Sequence, residues 1–563
     1  MADQVEPPSE TDAGTTPSPD KGAKDWRFWA VFPALCMTTF LSALDTSILF
    51  TALPTIAQAL QSETLYVWTV NSYLVTCTAT QPIVGQTANI FGRRWLTILS
   101  VIFFALGSGI SGGANNTAML IGGRAVQGIG AGGINTLIDI VISDLVPLRE
   151  RGNYVAIMGV VWTVGSVVGP VIGGAFAQNV SWRWVFYINL PLCGVSLVLL
   201  LLFLRVKTPP APSVWARVKR IDVLGNTILI ASVVSVLIAL TWGGTVYPWA
   251  SWHTLVPLLV GAAGMGAFLV HQASPICPEP TMPLRLFSNR TSAFTYLLVF
   301  IQAILLYEVC AMLPVYFQAV LQASPTESGV YLLPVSLTTA PLGIAGGLII
   351  AKTGHYRSQH YIGYSLMALG IGLLTMIDQN SPTGWWVGFQ MLFGAGTGLI
   401  FPSTLPAIQA ALPETDVATA TATWAFIRSF GSVWGVAIPV AVFNDRVNSL
   451  LHRVSDPALR RMLSNGGAYG LAGEGGLKDL FNQAHDPDFL SQVTSIYVDS
   501  LKRVWQVALA FVLLGVVLCI PIKGLVLRTS VETEFGLEEK RKGKEDEVED
   551  AEKHAADSAC STA

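Results

Sequence analysis

The chain has 563 residues, of which 52% are hydrophobic and 12% are charged, and its formal net charge is −3. Soluble globular proteins carry about 25% charged residues, so this composition excludes an ordinary soluble domain and indicates a membrane protein. The small net charge gives no reason to expect a nucleic-acid partner. The seven cysteines lack the spacing of a disulfide framework or a metal site, so we expect no metal ligands.

The first 25 residues are polar and rich in Pro, Ser and Thr, which predicts a disordered N-terminus. Apolar stretches long enough to cross a bilayer as helices follow. We place fourteen of them, at 29–53, 66–88, 95–113, 118–142, 154–177, 184–204, 221–241, 252–271, 293–318, 329–351, 359–378, 385–411, 424–444 and 503–525. The sequence therefore predicts an all-α polytopic membrane protein with 14 transmembrane helices.

Basic residues in the loops indicate the orientation. The short loops on one side carry only Arg183, whereas those on the other side carry Arg93, Arg94, Arg149, Arg151, Arg205, Lys207, Arg217, Lys219, Arg220, Arg285, Arg290, Lys352 and Arg357. Since positively charged loops stay on the cytoplasmic side, we expect both termini in the cytosol. The stretch 445–502, whose glycine-rich middle predicts flexibility, is then a partly folded external loop. Residues 526–563 are expected to form a disordered, charged cytoplasmic tail.

Short motifs recur in the same order at nearly constant offset. Leu53-Pro54 returns as Leu313-Pro314, Gly85…Gly92 as Gly347…Gly354, Gly128-x-Gly130-x-Gly132 as Gly394-x-Gly396-x-Gly398, and Gly165…Gly169 as Gly431…Gly435. This pattern predicts an N-terminal six-helix bundle at 26–207, two inserted transmembrane helices at 208–280, and a C-terminal six-helix bundle at 281–525. Paired halves around a central site are typical of alternating-access transporters.

Three motifs together carry a family resemblance. They are the loop Gly85-Gln-Thr-Ala-Asn89-Ile-Phe-Gly92-Arg93-Arg94; Leu44-Asp45-Thr46-Ser47 with Leu53-Pro54 in span 1 and Arg124 in span 4; and the run Gly159…Gly165…Gly169-Pro170…Gly173-Gly174 in span 5. The chain resembles the major facilitator superfamily, in particular its fourteen-span drug:proton antiporters, and looks most like fungal toxin and secondary-metabolite efflux pumps. The resemblance implies the major facilitator fold.

The resemblance also implies roles for these residues. Asp45 and Arg124 are associated with proton coupling, although a static ion pair between spans 1 and 4 is the alternative. The loop motif is associated with gating, and the glycine run of span 5 with antiport. This chain has Asn89 where the superfamily usually has Asp, so we expect Asp144 to serve as the partner of Arg93 instead.

Other polar and aromatic residues within the spans are further candidates. Glu308 in span 9 is a second proton site or a site for a cationic substrate; facing a hydrated cavity without a role in the cycle is the alternative. Asp139 and Arg428 are expected near cytoplasmic helix ends, where charged side chains reach water. Candidates for lining a substrate cavity, each of which can equally serve helix packing, are Trp162, Gln302, Tyr307, Tyr316, Trp424 and Trp434.

The leading functional prediction is a secondary active transporter. It exports small organic compounds (a toxin, secondary metabolite or drug) in exchange for protons, needs no cofactor beyond the proton gradient, and acts as a monomer in the lipid bilayer. We expect it in a fungal plasma membrane, with the vacuolar membrane as the alternative. A proton-coupled uptake symporter, for a siderophore or amino acid, and a non-transporting membrane receptor are the competing functions. An enzyme is not expected, because no convergent His/Ser/Asp or metal set occurs.

Overall fold

The computed structural model describes residues 26–60, 66–206, 213–244, 247–275, 277, 279–464, 466–473 and 487–529. The ends predicted to be disordered, 1–25 and 530–563, lie outside these ranges. Within them, β pairing consists of one isolated bridge between Gly243 and Tyr247. The α-helical fold class is therefore confirmed for the described part of the chain.

The α-helices, in chain order, are α1 Trp26–Ala59, α2 Tyr66–Phe91, α3 Arg93–Gly112, α4 Thr117–Leu145, α5 Leu148–Asn179, α6 Trp184–Tyr187, α7 Asn189–Phe203, α8 Val214–Val218, α9 Val223–Trp242, α10 Trp252–Ala273, α11 Arg290–Val315, α12 Pro325–Tyr331, α13 Leu333–Thr353, α14 Arg357–Leu374, α15 Thr383–Ala410, α16 Val417–Leu450, α17 Pro457–Leu463, α18 Gly467–Gly473 and α19 Pro487–Leu518. A π-helical turn, Tyr316–Val320, extends α11. Short 3₁₀ turns lie at Leu284–Phe287, Glu414–Asp416 and Leu451–Arg453.

Polar residues define several helix starts. The Asn116 side chain accepts a hydrogen bond from the backbone N–H of Met119 at 2.8 Å and so caps α4. Ser324 and Glu327 form a reciprocal capping box at the start of α12. Such caps satisfy backbone N–H groups that have no partner within the helix, and they fix where each helix begins.

Twelve helical stretches of the described residues are long and apolar enough to cross a membrane. Two of the predicted spans correspond to α2 and α14, which are helices outside this set of twelve. Polar residues explain the difference, since α2 contains several Thr and Gln residues and α14 begins with Arg357-Ser-Gln-His360. Fourteen crossings and cytosolic termini therefore stay predictions.

The two halves pack their helices in the same way. A methyl group added to Gly130 of α4 would lie 2.6 Å from the Ser100 carbonyl oxygen of α3, and one added to Gly396 of α15 would lie 2.8 Å from the Met367 nitrogen of α14. The central helix of each half thus approaches a neighbouring backbone closely at a repeated glycine.

A second pair of contacts follows the same rule. A methyl group at Gly165 of α5 would lie 3.1 Å from the Phe40 carbonyl oxygen of α1, and one at Gly431 of α16 would lie 2.9 Å from the Phe300 carbonyl oxygen of α11. Phe40 and Phe300 are themselves separated by 260 residues, the offset of the Leu-Pro motif. The repeat found in the sequence is therefore a repeat of helix packing.

The inserted helices α9 and α10 pack on each other and on both halves. Val75 and Ala79 of α2 share one apolar cluster with Leu229 and Val233 of α9. The Asn226 side chain of α9 donates to Gln86 Oε1 of α2 at 2.9 Å. On the opposite side, the Asn444 amide of α16 donates to the Gly244 carbonyl at 3.1 Å.

Two predicted boundaries need correction. Helix occupies both ends of the predicted external loop 445–502, because α16 continues to Leu450 and α19 begins at Pro487. Flexibility was wrong for 467–473: Ala468 is buried, and its carbonyl accepts a hydrogen bond from Tyr497 Oη at 2.6 Å. The predicted tail also begins later than 526, because Leu527 is buried.

Candidate functional site

Asp45 lies in a buried polar cluster in the first half. Its side chain and that of Arg124 are each 1% exposed, and Arg124 Nη1 donates to Asp45 Oδ2 at 2.8 Å. The other carboxylate oxygen, Oδ1, accepts hydrogen bonds from the amides of Gln127 and Asn189, both at 2.7 Å. Three donors from α4 and α7 therefore satisfy one carboxylate of α1.

Arg124 is held from several sides. It also donates to Gln127 Oε1 at 2.6 Å and to the Thr69 carbonyl at 3.3 Å. Its guanidinium lies 4.3 Å from the centre of the Tyr73 ring, within the range of a cation–π contact. Both interpretations that the sequence offers for Asp45 and Arg124, coupling and a static ion pair, involve these two residues, and the structure brings them into contact. The sequence did not predict Gln127, Asn189 or Tyr73, since neutral residues within a span carry no distinguishing signal.

Glu308 differs sharply from Asp45. It is 1% exposed on α11, and neither carboxylate oxygen has a hydrogen-bond partner among the described residues. Buried polar groups in proteins are normally paired, so an unpaired carboxyl is an exception that requires a reason. Glu308 and Asp45 lie in different halves and do not form one site.

The loop motif after α2 forms a compact turn. Gly92 has a φ of 87°, a backbone conformation that favours glycine, and its repeat partner Gly354 has a φ of 71°. Arg93 Nε donates to Asp144 Oδ2 at 2.7 Å, with both side chains buried. Asp144 is thus the carboxylate partner of Arg93, as expected from the presence of Asn89. The neighbouring Arg94 donates to the Leu201 carbonyl at the end of α7, at 2.9 Å.

Gly85, the first residue of this motif, lies at the contact between halves. A methyl group there would overlap the Ala422 side chain of α16. The absence of a side chain at Gly85 therefore allows α2 and α16 to meet.

The glycine run of α5 divides into parts with different surroundings. Gly165 and Gly169 face α1, where an added methyl group would lie 2.8 Å from the Ala43 Cβ and 2.9 Å from the Ile48 nitrogen, respectively. Gly159 faces Phe401 of the other half at 3.5 Å, whereas Gly174 has open space around it. Gly173 is buried, and Pro170 lies within α5 without ending the helix.

Polar contacts join the two halves at the end that carries the arginine-rich loops. Arg151 of α5 donates to Gln409 Oε1 at 2.9 Å and lies 3.2 Å from Glu414 Oε1. Gln409 Nε2 donates in turn to Ser143 Oγ of α4 at 3.0 Å. Arg149 Nε donates to the Ala351 carbonyl of α13 at 2.7 Å.

The segment after α19 adds further contacts between the two halves at this end. Arg528 lies 2.9 Å from Glu414 Oε2 and donates to the Gln409 and Leu412 carbonyls at 3.0 and 2.9 Å. The backbone N–H of Arg149 donates to the Arg528 carbonyl at 3.2 Å. Arg528 therefore contacts both halves where they meet.

The start of α16 is fixed by a further ion pair within the second half. Arg285 Nε and Nη2 donate to the two oxygens of Asp416 at 2.8 and 2.7 Å. Hydrogen bonding to Asp416 raises the pKa of Arg285 above its ordinary value. This two-point contact positions the turn that carries Glu414.

A second set of contacts between the halves lies deeper. Arg428 of α16 is 3.8 Å from Asp139 Oδ2 of α4, and its side chain is 30% exposed. Its guanidinium lies 4.2 Å from the Trp424 ring centre. The next residue of α16, Ser429, accepts a hydrogen bond from Gln81 of α2 at 3.0 Å. The expectation that Asp139 reaches water was wrong, because its side chain is buried and faces the opposite half; Arg428 is partly exposed and also faces the opposite half.

The six predicted cavity residues do not form one lining. Tyr307 is 40% exposed, and Trp162 and Trp434 are half-buried. Gln302 and Tyr316 are buried within the second half, where they donate to the carbonyls of Thr397 and Asp378 at 3.3 and 2.8 Å. Trp424 is also buried, but its ring supports Arg428. Tyr316 and Gln302 thus contribute to helix packing, and the substrate-cavity role of the other candidates stays a prediction.

Comparison with known proteins gives a consistent result. Residues 35–436 match the family described as Major Facilitator Superfamily. Efflux pump FUS6 of Gibberella fujikuroi is 54% identical over 540 residues, which are 96% of this chain and 97% of that protein. The MFS-type efflux pump LUC4 of a Fusarium species is 54% identical over 95% of this chain and 93% of its own. The Acurin A biosynthesis cluster MFS-type transporter of Aspergillus aculeatus is 50% identical over 92% of each chain.

Solved structures agree in fold. The proton:xylose symporter XylE has a TM-score of 0.53 at 14% identity, covering 84% of this chain and 100% of its own. The human organic anion transporter MFSD10 has a TM-score of 0.54 at 14% identity, covering 87% and 99%.

Proposed function

Because this chain belongs to the major facilitator superfamily, we propose that it exports small organic compounds of the secondary-metabolite or toxin class in exchange for protons. It is a multi-pass membrane transporter and not an enzyme. The observation that carries the proposal of export is its similarity, over nearly the whole chain, to fungal proteins named as efflux pumps. A relative from a biosynthesis cluster supports a secondary metabolite as the cargo.

The closed end of the molecule is assigned to the cytosol in this proposal, because it carries the arginine-rich loops. Contacts of Arg151, Gln409 and Arg528 then form a cytoplasmic gate, and the conformation is closed to the cytosol. Loading of the cargo requires these contacts to separate, so that the halves open toward the cytosol.

Asp139 and Arg428 connect proton binding to this gate. They belong to opposite halves, so their attraction stabilises the closed state and is lost when the halves separate. A proton on Asp139 removes the negative charge and with it that attraction, which favours opening toward the cytosol. Release of the proton to the cytosol restores the pair once the cargo has been loaded.

Asp45, Arg124 and Glu308 complete the proposed proton pathway. Asp45 accepts hydrogen bonds from three donors, so Arg124 must rearrange before Asp45 can exchange a proton. No described residue donates a hydrogen bond to Glu308, so Glu308 can exchange a proton without breaking such a bond. The loop motif positions the gate through Arg93 and Asp144.

The cargo is proposed to bind between the halves beside Arg428 and Tyr307, both of which are partly exposed. Aromatic surface at Trp434 and Trp162 suits a largely apolar compound. The transporter uses the proton gradient in place of a cofactor, acts as a monomer, and resides in the plasma membrane; fluorescence of a tagged full-length chain distinguishes this location from the vacuolar membrane.

Transport by inside-out vesicles tests the proposal. Vesicles from a fungal host producing the chain are given an acidic lumen, and accumulation of the product of the neighbouring biosynthetic genes is measured. We expect accumulation that a protonophore abolishes and that vesicles without the chain do not show.

The direction of movement separates this function from its competitors. A proton-coupled uptake symporter would drive the same compound out of vesicles with an acidic lumen. A receptor would bind the compound without moving it. Accumulation that is insensitive to the pH gradient would remove proton exchange from the proposal but leave export intact.

A further inference from the structure

Three metal-ligating side chains meet at the arginine-rich end of the inserted helices. Asp222 precedes α9, His271 lies in the last turn of α10, and Cys277 follows α10. Their ligand atoms all lie within 4.8 Å of one another, and His271 Nε2 is 2.9 Å from Asp222 Oδ1. The His271 and Asp222 side chains are 12% and 6% exposed, so the group is largely sheltered while keeping contact with water.

We propose that Asp222, His271 and Cys277 bind a divalent transition-metal ion, with Zn²⁺ as the best match. Carboxylate oxygen, imidazole nitrogen and thiolate sulfur are the three donor types that zinc accepts, at about 2.0 to 2.3 Å. Tetrahedral coordination at those lengths places ligand atoms about 3.3 to 3.7 Å apart. The observed ligand atoms lie between 2.9 and 4.8 Å apart, so binding of the ion requires His271 and Asp222 to separate slightly and the more distant ligand atoms to approach each other.

The donor set also selects against other ions. Ca²⁺ and Mg²⁺ prefer oxygen ligands and coordinate poorly to thiolate and imidazole. The three protein ligands leave a fourth position for water. Cys277 lies on the side assigned to the cytosol, where thiols stay reduced and available to a metal.

Neighbouring groups already orient the carboxylate. Gln272 Nε2 donates to Asp222 Oδ2 at 2.6 Å, and Gln272 Oε1 accepts from the Met282 N–H at 3.1 Å. The Gly225 N–H donates to Asp222 Oδ1 at 2.8 Å. Second-shell hydrogen bonds of this kind fix ligand orientation in metal sites. Without a metal, the same bonds form a purely structural link between α9 and α10, and the experiment must separate the two cases.

No short sequence motif reveals this site, because its ligands come from three segments. Asp222 and His271 are 49 residues apart and belong to different spans, so no short metal-binding spacing exists. A bound ion would fix the end of α10 to the start of α9. It would also anchor the segment leading to Thr281, which donates to Gln86 Oε1 of α2 at 3.1 Å.

Metal binding by the purified full-length protein tests this inference without any transport measurement. The protein carries a tag free of histidine, is stripped with a chelator, and is titrated with Zn²⁺ and with Co²⁺. We expect one equivalent of Zn²⁺, and a Co²⁺ spectrum with a thiolate charge-transfer band. Cys277→Ser should abolish that band, and His271→Ala should abolish stoichiometric binding.

Matched control variants show whether the loss of metal binding is specific to this site. Cys310→Ser and His355→Ala change residues of the same types at exposed positions elsewhere and should bind like wild type. Gln272→Leu removes only the second-shell donor and should weaken Zn²⁺ binding about 10- to 100-fold. Absence of stoichiometric binding in wild type, or equal binding by Cys277→Ser, would overturn the inference and leave a structural hydrogen-bond link.

A measurement on the wild-type protein tests the inference even if the variants do not fold. Zn²⁺ should slow maleimide modification of Cys277, followed by mass spectrometry, while the rate at Cys310 stays unchanged. An unchanged rate at Cys277 would contradict metal binding whether or not the variants fold. Failure here leaves the proposed export function untouched, because neither readout involves the cargo or the proton gradient.

Discussion

Arg428 of α16 and Asp139 of α4 face each other from opposite halves of the protein, 3.8 Å apart. Direct hydrogen bonds between charged groups are about 2.7 to 2.9 Å long, so this pair is a loose one. Arg428 also rests on the Trp424 ring. Aromatic support therefore keeps the arginine in place when its carboxylate partner moves away, which suits a contact that forms and breaks in every cycle.

Asp139→Asn should reduce uphill transport at least about tenfold while changing thermal stability little. The substitution keeps side-chain size and removes the charge that attracts the partly exposed Arg428, and a contact as long as 3.8 Å contributes little to stability. The accumulation ratio in vesicles with an acidic lumen is the measurement. Asp499→Asn, which disrupts an exposed ion pair with Arg453, is the control. An unaltered accumulation ratio would show that Asp139 has no part in coupling.

Asp45→Asn should destabilise the protein by about 3 to 5 kcal/mol, because it leaves the buried Arg124 without its counterion. An Asn oxygen at the Oδ1 position keeps the hydrogen bonds from Gln127 and Asn189, but the NH₂ group then faces Arg124 Nη1, which is also a donor. Unfolding in detergent measures the loss. Asp45→Asn with Arg124→Gln should recover part of the stability.

Transport by that double variant distinguishes the two roles of the pair. A static pair predicts that uphill transport returns together with stability. A coupling pair predicts a stable protein that exchanges cargo but does not concentrate it.

Arg151→Gln should open the cytoplasmic gate, because it removes the charge that pairs with Glu414. Hydrogen bonds to charged groups contribute about 1.5 to 3 kcal/mol, so the open population should rise roughly tenfold or more. Maleimide labelling of Ser143→Cys, a position 1% exposed in the closed gate, measures it. Ser100→Cys, packed between α3 and α4, should label equally in both backgrounds. Equal labelling at Ser143→Cys as well would mean that Arg151 does not hold the gate.

Gly165→Ala and Gly431→Ala should each destabilise the protein by about 1 to 3 kcal/mol, because the methyl groups would press on the carbonyls of Phe40 and Phe300. Thermal unfolding measures the effect. Gly174→Ala, with nothing within 4 Å, should be near neutral. If all three variants unfold alike, the close helix contacts do not depend on glycine.

The sequence predicted the helical stretches and the repeat, because hydrophobic length and repeated glycines have direct physical causes. Asp144 was expected as the partner of Arg93 because of Asn89, and an ion pair between Asp45 and Arg124 was one of two alternatives that the family resemblance implied. Gln127 and Asn189 were missed, since an amide in a helix shows no preferred partner until the helices pack. Asp139 and Arg428 were misjudged because depth along a helix does not reveal which neighbour a side chain faces.

Gly92 and Gly354 both turn the chain with a positive φ, of 87° and 71°, at equivalent places in the two halves, although their ψ angles differ. Descent from a tandem duplication of one ancestral six-helix unit accounts for this match and for the paired helix contacts. Each half of the molecule can therefore be compared with the other, position by position. A change tolerated at one position can be judged against the residue at its counterpart, and a position that differs between the copies marks where the halves acquired separate tasks.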